Sequence, residues 1–197
     1  KCSERIARQA CELAVQRRGL LSIVHKSNVL TMSDGFFVNI CKEVASDYKL
    51  EVDEYFVDAM TALLVRKPEH FDVIVTTNLF GDIISDLAAE LSGGLGIGPS
   101  VNAGDENAMA QAAHGAAPDI AGQNIANPTA MILSVGMLLD TLGIRNDRPE
   151  LLEASKRIDE AISDQLSVQD SRTPDLGGPM GTDAFGAGVA EKVKGGS

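Results

Sequence analysis

"FDVIVTTNLFGDIISDL", residues 71–87, decides the fold. Residues 71–77 are a continuous apolar run of the kind that fills the middle of a parallel sheet, and Gly81 is expected to open the helix that follows. On that helix Asp82 and Asp86 stand four apart, hence on one face, where like charges repel by about 0.2–0.5 kcal/mol. Two readings of the pair stand open. Asp82 can sit at the positive end of the helix dipole while Asp86 is solvated. Alternatively, two hard oxygen donors at the carboxyl end of a strand, where open α/β sheets bind their ligands, can hold Mg²⁺ or Mn²⁺.

The flanking chain alternates in the same way. Ile6, Ala10, Leu13 and Ala14 recur at helical spacing, so residues 3–18 read as a helix that Gly19 ends. "LLSIVH" (20–25) reads as a short buried strand, and Asp34 can cap a helix whose apolar face carries Phe37, Ile40, Val44 and Tyr48. "LEVDEYFV" (50–57) alternates as a strand does, and Pro68 breaks the helix after it. Alternating helices and strands imply α/β crossovers.

The pattern changes at residues 92–107, "SGGLGIGPSVNAGDEN", where five glycines and one proline interrupt it; this is the expected domain boundary. The long irregular stretch at 114–127, "HGAAPDIAGQNIAN", is more in keeping with function than with plain connection. Pro128 fits the first position of a helix capped by Asn127 that runs through Leu142, apolar on most sides and therefore expected to be buried. Residues 149–166 are amphipathic, 173–181 form a loop, and Thr182 or Asp183 can cap a last helix through Val193.

Composition excludes several classes. A formal charge of −11 argues against nucleic acid or an anionic membrane surface, both of which need clustered Lys and Arg. Cys2, Cys11 and Cys41 show neither CxxC nor Cys/His spacing, so a disulfide framework or structural zinc is not expected, and a reducing cytoplasm or mitochondrial matrix fits. The apolar run at 130–139 is too short for a membrane span. Residues 1–18 read as a charged amphipathic helix rather than a signal peptide, and a start at Lys1, inside what reads as a domain, suggests a processed or truncated piece.

Lys26 and Asn28 follow the strand at 20–25, and Asp58 follows the strand at 50–57. A lysine after a strand is by itself commonly a solvated charge. Together with Asp82 and Asp86, though, these residues put one lysine and three acids at strand exits.

Five ordered motifs now carry a resemblance: "VHKSNVLTMSDGFF" (24–37), "FVDAM" (56–60), the stretch from Phe71 to Ser100, "HGAAPDIAGQNIANPTAMILS" (114–134) and "TPDLGG" (173–178). The chain resembles the C-terminal portion of the isocitrate/isopropylmalate dehydrogenase family of metal-dependent β-decarboxylating dehydrogenases. The resemblance implies the three-layer α/β fold of isopropylmalate dehydrogenase, incomplete because its N-terminal part, with the substrate-clamping arginines and the tyrosine acid, is absent. It also implies that residues 1–92 belong to the substrate and dimerisation domain and 93–197 to the cofactor domain.

Carried over by residue, the resemblance implies that Asp82 and Asp86 bind Mg²⁺ or Mn²⁺, with Asp58 of a neighbouring subunit completing the shell in a homodimer. Lys26, also from the neighbouring subunit, helps remove the substrate's hydroxyl proton, and Asn28 touches substrate or nicotinamide. NAD lies along 114–127, with His114, Gly115 and Asn127 near the adenine and Asp119 at the ribose. An Asp there accepts from ribose hydroxyls and repels a 2′-phosphate, favouring NAD over NADP. Gly94 and Gly96 give GxG, but Pro99 stands where a Rossmann fingerprint needs its third glycine. The family commonly carries a glutamate where this chain has Gln111, which removes a charge near the nicotinamide.

The implied activity is NAD- and metal-dependent oxidative decarboxylation of a 2-hydroxy-3-carboxy acid. "SDLAAELSGGLGIGPS" (85–100) is closest to the isocitrate, homoisocitrate and tartrate branches, with 3-isopropylmalate next. The alternative is a non-catalytic or regulatory homologue that keeps the fold and the dimer surface. Residues 1–197 on their own are expected to be inactive.

Overall fold

The computed structural model describes residues 1–195. The chain forms two compact units, Lys1–Ala88 and Ala89–Ser197.

The first unit is a three-layer α/β/α arrangement. Helix α1 (Cys2–Gln16) leads into β1 (Leu20–His25), followed by α2 (Ser33–Ala45), β2 (Glu51–Phe56), α3 (Val57–Arg66), β3 (Val73–Thr76) and the start of α4 (Asn78–Ser92). The strands form a parallel sheet of order β2-β1-β3. Leu20 pairs with Glu51 and His25 with Phe56 on one side, while Leu21 pairs with Val73 and Val24 with Thr76 on the other. Period-2 alternation sends β1 side chains to both faces. Leu21 and Ile23 pack with Phe37, Cys41, Val73 and Val75 under α1 and α2. Val24 packs with Met60, Leu64 and Ile84 under α3 and α4.

Three expectations change here. The strand buried along its whole length is β1, whereas the 71–77 run supplies an edge strand among the described residues. It is β1 that has partners on both sides. The helix after β3 opens at Asn78 rather than Gly81, which places Asp82 beyond the first turn, where α4 has no acidic residue. On α1 the core contacts come from Ala7, Ala10, Cys11 and Ala14, with Ile6 and Leu13 exposed, because small side chains let the helix lie close to the sheet. Gly19 ends α1 as expected, with φ of +82° and its N–H donating to Ala14 O. Cys11 and Cys41 are free thiols in this core, and burial, with Cys11 beside it, pushes the Cys41 thiol up to about 12.

One ionic cluster sets the sheet's alignment. Asp72, immediately before β3, accepts from Arg17 Nε at 2.7 Å and from the Arg18 backbone N–H at 2.8 Å. Arg18 in turn donates to the carbonyls of Glu69, His70 and Phe71. The Asp72 side chain is 1% exposed. Burial pushes its pKa up, but the Arg17 guanidinium, the Arg18 amide and both positive charges outweigh that and leave it below the ordinary carboxylate range.

The second unit contains the rest of α4, a hairpin of β4 (Pro99–Ala103) and β5 (Ala108–Ala112), and helices α5 (Thr129–Asn146), α6 (Pro149–Ser167) and α7 (Thr182–Gly195). The hairpin occupies part of the expected boundary segment, where Pro, Ser, Asn and Ala give little strand signal. A two-stranded ribbon is marginal alone. Here Ser134 of α5 ties it down, its Oγ accepting from Ser100 N–H and sharing its proton between Gln111 O and Ala130 O. Helices α6 and α7 meet through Ala161, Ile162, Phe185 and Val189. Helix α5 extends to Asn146, and Met131, Val135 and Ile144 on it are exposed rather than buried. A helix apolar on most sides needs partners on most sides, and the described residues supply them only in part.

Stability that depends on a depressed carboxylate pKa is present above the unfolded value and is lost as pH falls through the folded one. Asp72→Asn, which removes the charge but leaves the exposed Arg17 and Arg18 donors to water, is therefore expected to cost about 0.5–1.5 kcal/mol at pH 7, the ordinary net worth of a hydrogen bond. Urea unfolding should show the gap between wild type and variant shrinking as pH falls through the carboxylate range; a gap that persists at acid pH refutes the assignment.

Candidate functional site

The three parallel strands end at one edge of the sheet. Beyond β1 comes Lys26, beyond β2 comes Asp58 in the first turn of α3, and beyond β3 comes α4 with Asp82 and Asp86. A parallel ladder makes this unavoidable, since His25 lies opposite Phe56 and Val24 opposite Thr76. Thr76 Oγ1 also donates to Val24 O at 2.8 Å, joining two of the exits.

Lys26 and Asp58 meet directly, Nζ donating to Oδ1 at 2.5 Å. Nζ also lies 5.6 Å from the Phe56 ring centroid, within cation–π range. The Lys26 hydrogen bond is the main reason the exposed Asp58 carboxyl titrates below the ordinary value, helped by its own and the Ala59 backbone N–H. A carboxylate offers about four acceptor positions, so Lys26 does not exhaust it. Asn28 is exposed, and its amide has no side-chain hydrogen bond among the described residues.

Asp82 and Asp86 are exposed on α4, and among the described residues neither carboxylate enters an ion pair or a side-chain hydrogen bond. The helix-dipole reading of Asp82 loses support, because the effect falls off within the first turn. Two unspent carboxylates on one helical face suit a hard divalent cation that keeps several other oxygen ligands. Among the described residues no three His, Cys, Asp or Glu side chains come together as a metal site, so Asp58 does not join Asp82 and Asp86 within one chain.

Asp34 corrects the sequence reading. It lies inside α2 and makes no capping hydrogen bond; its Oδ2 instead accepts the Lys26 backbone N–H at 2.7 Å. His25, at the end of β1, is buried as well and accepts the Ser27 N–H through Nδ1 at 3.1 Å. The sequence shows an acid eight residues beyond a strand-end lysine, which identifies no contact without the fold.

In the second unit, His114 Nδ1 donates to Gly115 O at 2.9 Å, which leaves Nε2 as an exposed acceptor. The exposed Asp119 carboxylate has no ion-pair partner among the described residues. Helix α5 begins at Thr129 with Pro128, not Asn127, at its N-cap and no side-chain capping bond there. Asn127 stands one residue further out, its Oδ1 accepting from Thr129 N–H at 3.0 Å, while Nδ2 donates to Asp175 Oδ2 at 2.9 Å. Both ends of that amide are thus spent on holding the loop. Thr173 Oγ1 donates to Asp175 Oδ1 at 2.5 Å, and Gly96 packs so closely that a Cβ there would stand 3.0 Å from Asp175 Oδ2. A larger residue there would need the Asp175 or Asn127 side chain to give by a few tenths of an ångström. Residue Asn124, and not Thr182 or Asp183, caps α7: its Oδ1 accepts from Asp183 N–H at 3.0 Å.

The family described as isocitrate/isopropylmalate dehydrogenase matches residues 1–189. An isocitrate/homoisocitrate dehydrogenase of Thermus thermophilus is 52% identical over 196 residues, covering 98% of this chain and 56% of that protein. A 3-isopropylmalate dehydrogenase of Archaeoglobus fulgidus is 47% identical, covering 96% and 56%. The crystal structure of isocitrate dehydrogenase from Methylococcus capsulatus superposes with a TM-score of 0.89 at 43% identity, covering 98% of this chain and 56% of that one. The chain therefore spans a little over half the length of these relatives, and its fold is a partial one of their kind.

Asp175→Ala leaves the buried Asn127 amide and Thr173 hydroxyl unpaired, an expected loss of about 1–3 kcal/mol. Limited proteolysis should cut the variant faster within residues 114–127. An unchanged digestion pattern and unfolding midpoint would show that Asp175 does not hold this loop.

Proposed function

Because the chain belongs to the isocitrate/isopropylmalate dehydrogenase family, we propose that the protein oxidatively decarboxylates a 2-hydroxy-3-carboxy acid with NAD and Mg²⁺ or Mn²⁺. The observation that carries this reading is the convergence of Lys26, Asp58 and the carboxylate-bearing α4 on one edge of the sheet. Isocitrate or homoisocitrate is the favoured substrate, with 3-isopropylmalate next. The names of the relatives support a dehydrogenase over the non-catalytic alternative.

The metal belongs to Asp82 and Asp86 of one protomer and Asp58 of the partner subunit. This division agrees with the separation of Asp58 from the α4 pair within one chain. Asp82 and Asp86, with the partner's Asp58, would hold a divalent cation able to supply Lewis-acid polarisation of the substrate hydroxyl, and the 114–127 loop a nicotinamide cofactor able to supply hydride acceptance. Lys26, in the neutral amine form that a nearby divalent cation would favour by repelling the ammonium charge, would take up the hydroxyl proton, and Asp58 Oδ1 would hold the ammonium so formed. The β-carboxylate would then leave as CO₂, its bonding pair passing into an enolate that takes its proton from solvent. Asn28 lies exposed beside Lys26, ready to touch substrate or nicotinamide. On the 114–127 loop, His114 Nε2 offers the adenine an acceptor beside Gly115, and Asp119 receives the ribose hydroxyls. Asn127 serves the adenine side by fixing the end of that loop. Residues 1–92 serve substrate and dimer contacts and 93–197 the cofactor, in a reducing cytoplasm or matrix.

NADH formation by the protein at its natural length, with isocitrate, homoisocitrate, 3-isopropylmalate and tartrate and with or without Mn²⁺, tests the reading. Metal-dependent NADH from one acid is expected, and silence across the panel from folded protein refutes it. Asp82→Asn is expected to weaken Mn²⁺ binding at least about tenfold, equivalent to about 1.4 kcal/mol. An unchanged metal titration would remove Asp82 from the site.

A further inference from the structure

We propose that Asp34 and His25 are positioning residues that aim Lys26, a role that rests on the dehydrogenase reading above. Lys26 has just left β1, so its backbone groups have no ladder partners and must be satisfied some other way. They are satisfied completely. The N–H goes to Asp34 Oδ2 at 2.7 Å, and the C=O accepts from the Val29 and Leu30 N–H groups at 2.9 and 2.8 Å. The following amide, that of Ser27, goes to His25 Nδ1 at 3.1 Å.

Both holding groups are built into the core. Asp34 is 3% exposed and His25 1% exposed. Burying a carboxylate costs free energy unless its charge is answered, and here a backbone amide answers it with a charge-assisted bond. The Ser33 hydroxyl adds a second donor to Oδ1 at 3.3 Å. Starting α2 does not require this carboxylate, since it makes no capping contact there. The His25 ring is braced in turn. An Nδ1 that accepts leaves the proton on Nε2, which lies 3.0 Å from Glu54 Oε1, off the line of a hydrogen bond. Glu54 is itself paired with Lys42 of α2. Phe56 closes on the ring edge-on at 5.2 Å, the same ring over which Nζ of Lys26 lies.

Two consecutive amides at the strand exit are thus clamped by buried side chains from β1 and α2. The main chain of Lys26 cannot shift, and its side chain has one supported course, across Phe56 to Asp58. Small displacements of a reacting group are costly, about 100-fold for roughly 1 Å. Loosening the clamp should therefore act on turnover and not on the recognition of substrate or metal, whose carboxylates lie on other elements.

Steady-state kinetics of the protein at its natural length provides the test. Asp34→Ala is expected to lower kcat about 10–100-fold, as misaimed groups do, with KM for the hydroxy acid nearly unchanged. Asp34→Asn keeps one acceptor oxygen and should restore most of kcat. A kcat in Asp34→Ala equal to wild type, a loss carried by KM, or no rescue by Asn overturns the proposal. Should Asp34→Ala fail to fold, amide hydrogen exchange of the wild type decides: Lys26 and Ser27 should be protected to the same order as β1, and free exchange overturns the clamp. A wild type without metal-dependent turnover would instead refute the dehydrogenase reading, and the exchange result would still stand apart from it.

Discussion

Strand β1 is hydrogen-bonded in parallel to β2 and to β3 and is buried along its whole length. Every other feature of the first unit follows from that constraint. A parallel strand with partners on both sides can be entered only from one edge and left only from the other. The crossovers α2 and α3 then carry the chain back, and each strand exit falls at the same level of the sheet. Asp72 fixes the entering edge by holding Arg17 and the Arg18 amide, so that β3 begins in register with β1. The exiting edge is where Lys26, Asp58 and α4 emerge. Chemistry collects there because loops can vary at a sheet edge while the ladder beneath holds their roots in place.

Much of this was legible in the residues themselves. Gly19 ends a helix because its φ is positive, and the apolar run at 20–25 could only be a buried strand. Asn127 before Pro128 marks the neighbourhood of a helix start, though α5 opens at Thr129 with Pro128 at its N-cap, and the Asn127 amide oxygen, one residue further out, accepts from Thr129 N–H. Lys26 and Asp58, read separately as strand-exit residues, do meet. What escaped the sequence was long-range or unpatterned. The β4–β5 hairpin lacks β-branched alternation and depends on Ser134, 34 residues beyond Ser100 and 23 beyond Gln111. Asp34 matched a capping pattern but reaches back to a strand end, a choice set by how α2 docks on the sheet. Helix α4 opens at Asn78 rather than Gly81, a start that Thr77 and Asn78, both capping residue types, do signal, but which the apolar run through 71–77 masks by extending the strand pattern up to it.

The second unit solves a different problem, since a long exposed loop has to present particular atoms without a sheet beneath it. Its answer is to tie down the loop's far end. Asn127 links the start of α5 to Asp175, Thr173 completes that carboxylate, and Asn124 caps α7. The outward residues His114, Gly115 and Asp119 then hang on a short, anchored span.

Charge remains the sharpest constraint on the proposed chemistry. The chain carries a formal −11, and its proposed substrates are polyanions. Such a surface repels them at long range, and Asp82 and Asp86, exposed and unpaired among the described residues, add to that repulsion locally. Among the described residues neither the helix dipole nor a neighbouring cation relieves the pair. A divalent cation reconciles both facts, because it neutralises the two carboxylates and presents positive charge to the acid. On this argument the acidic pair is tolerable in the folded chain because its solvation is kept, and it becomes useful only when metal arrives. Lys26 has the opposite requirement. Its single charge must be aimed, not diluted, which is why its backbone is held by buried groups while the α4 carboxylates are left in water.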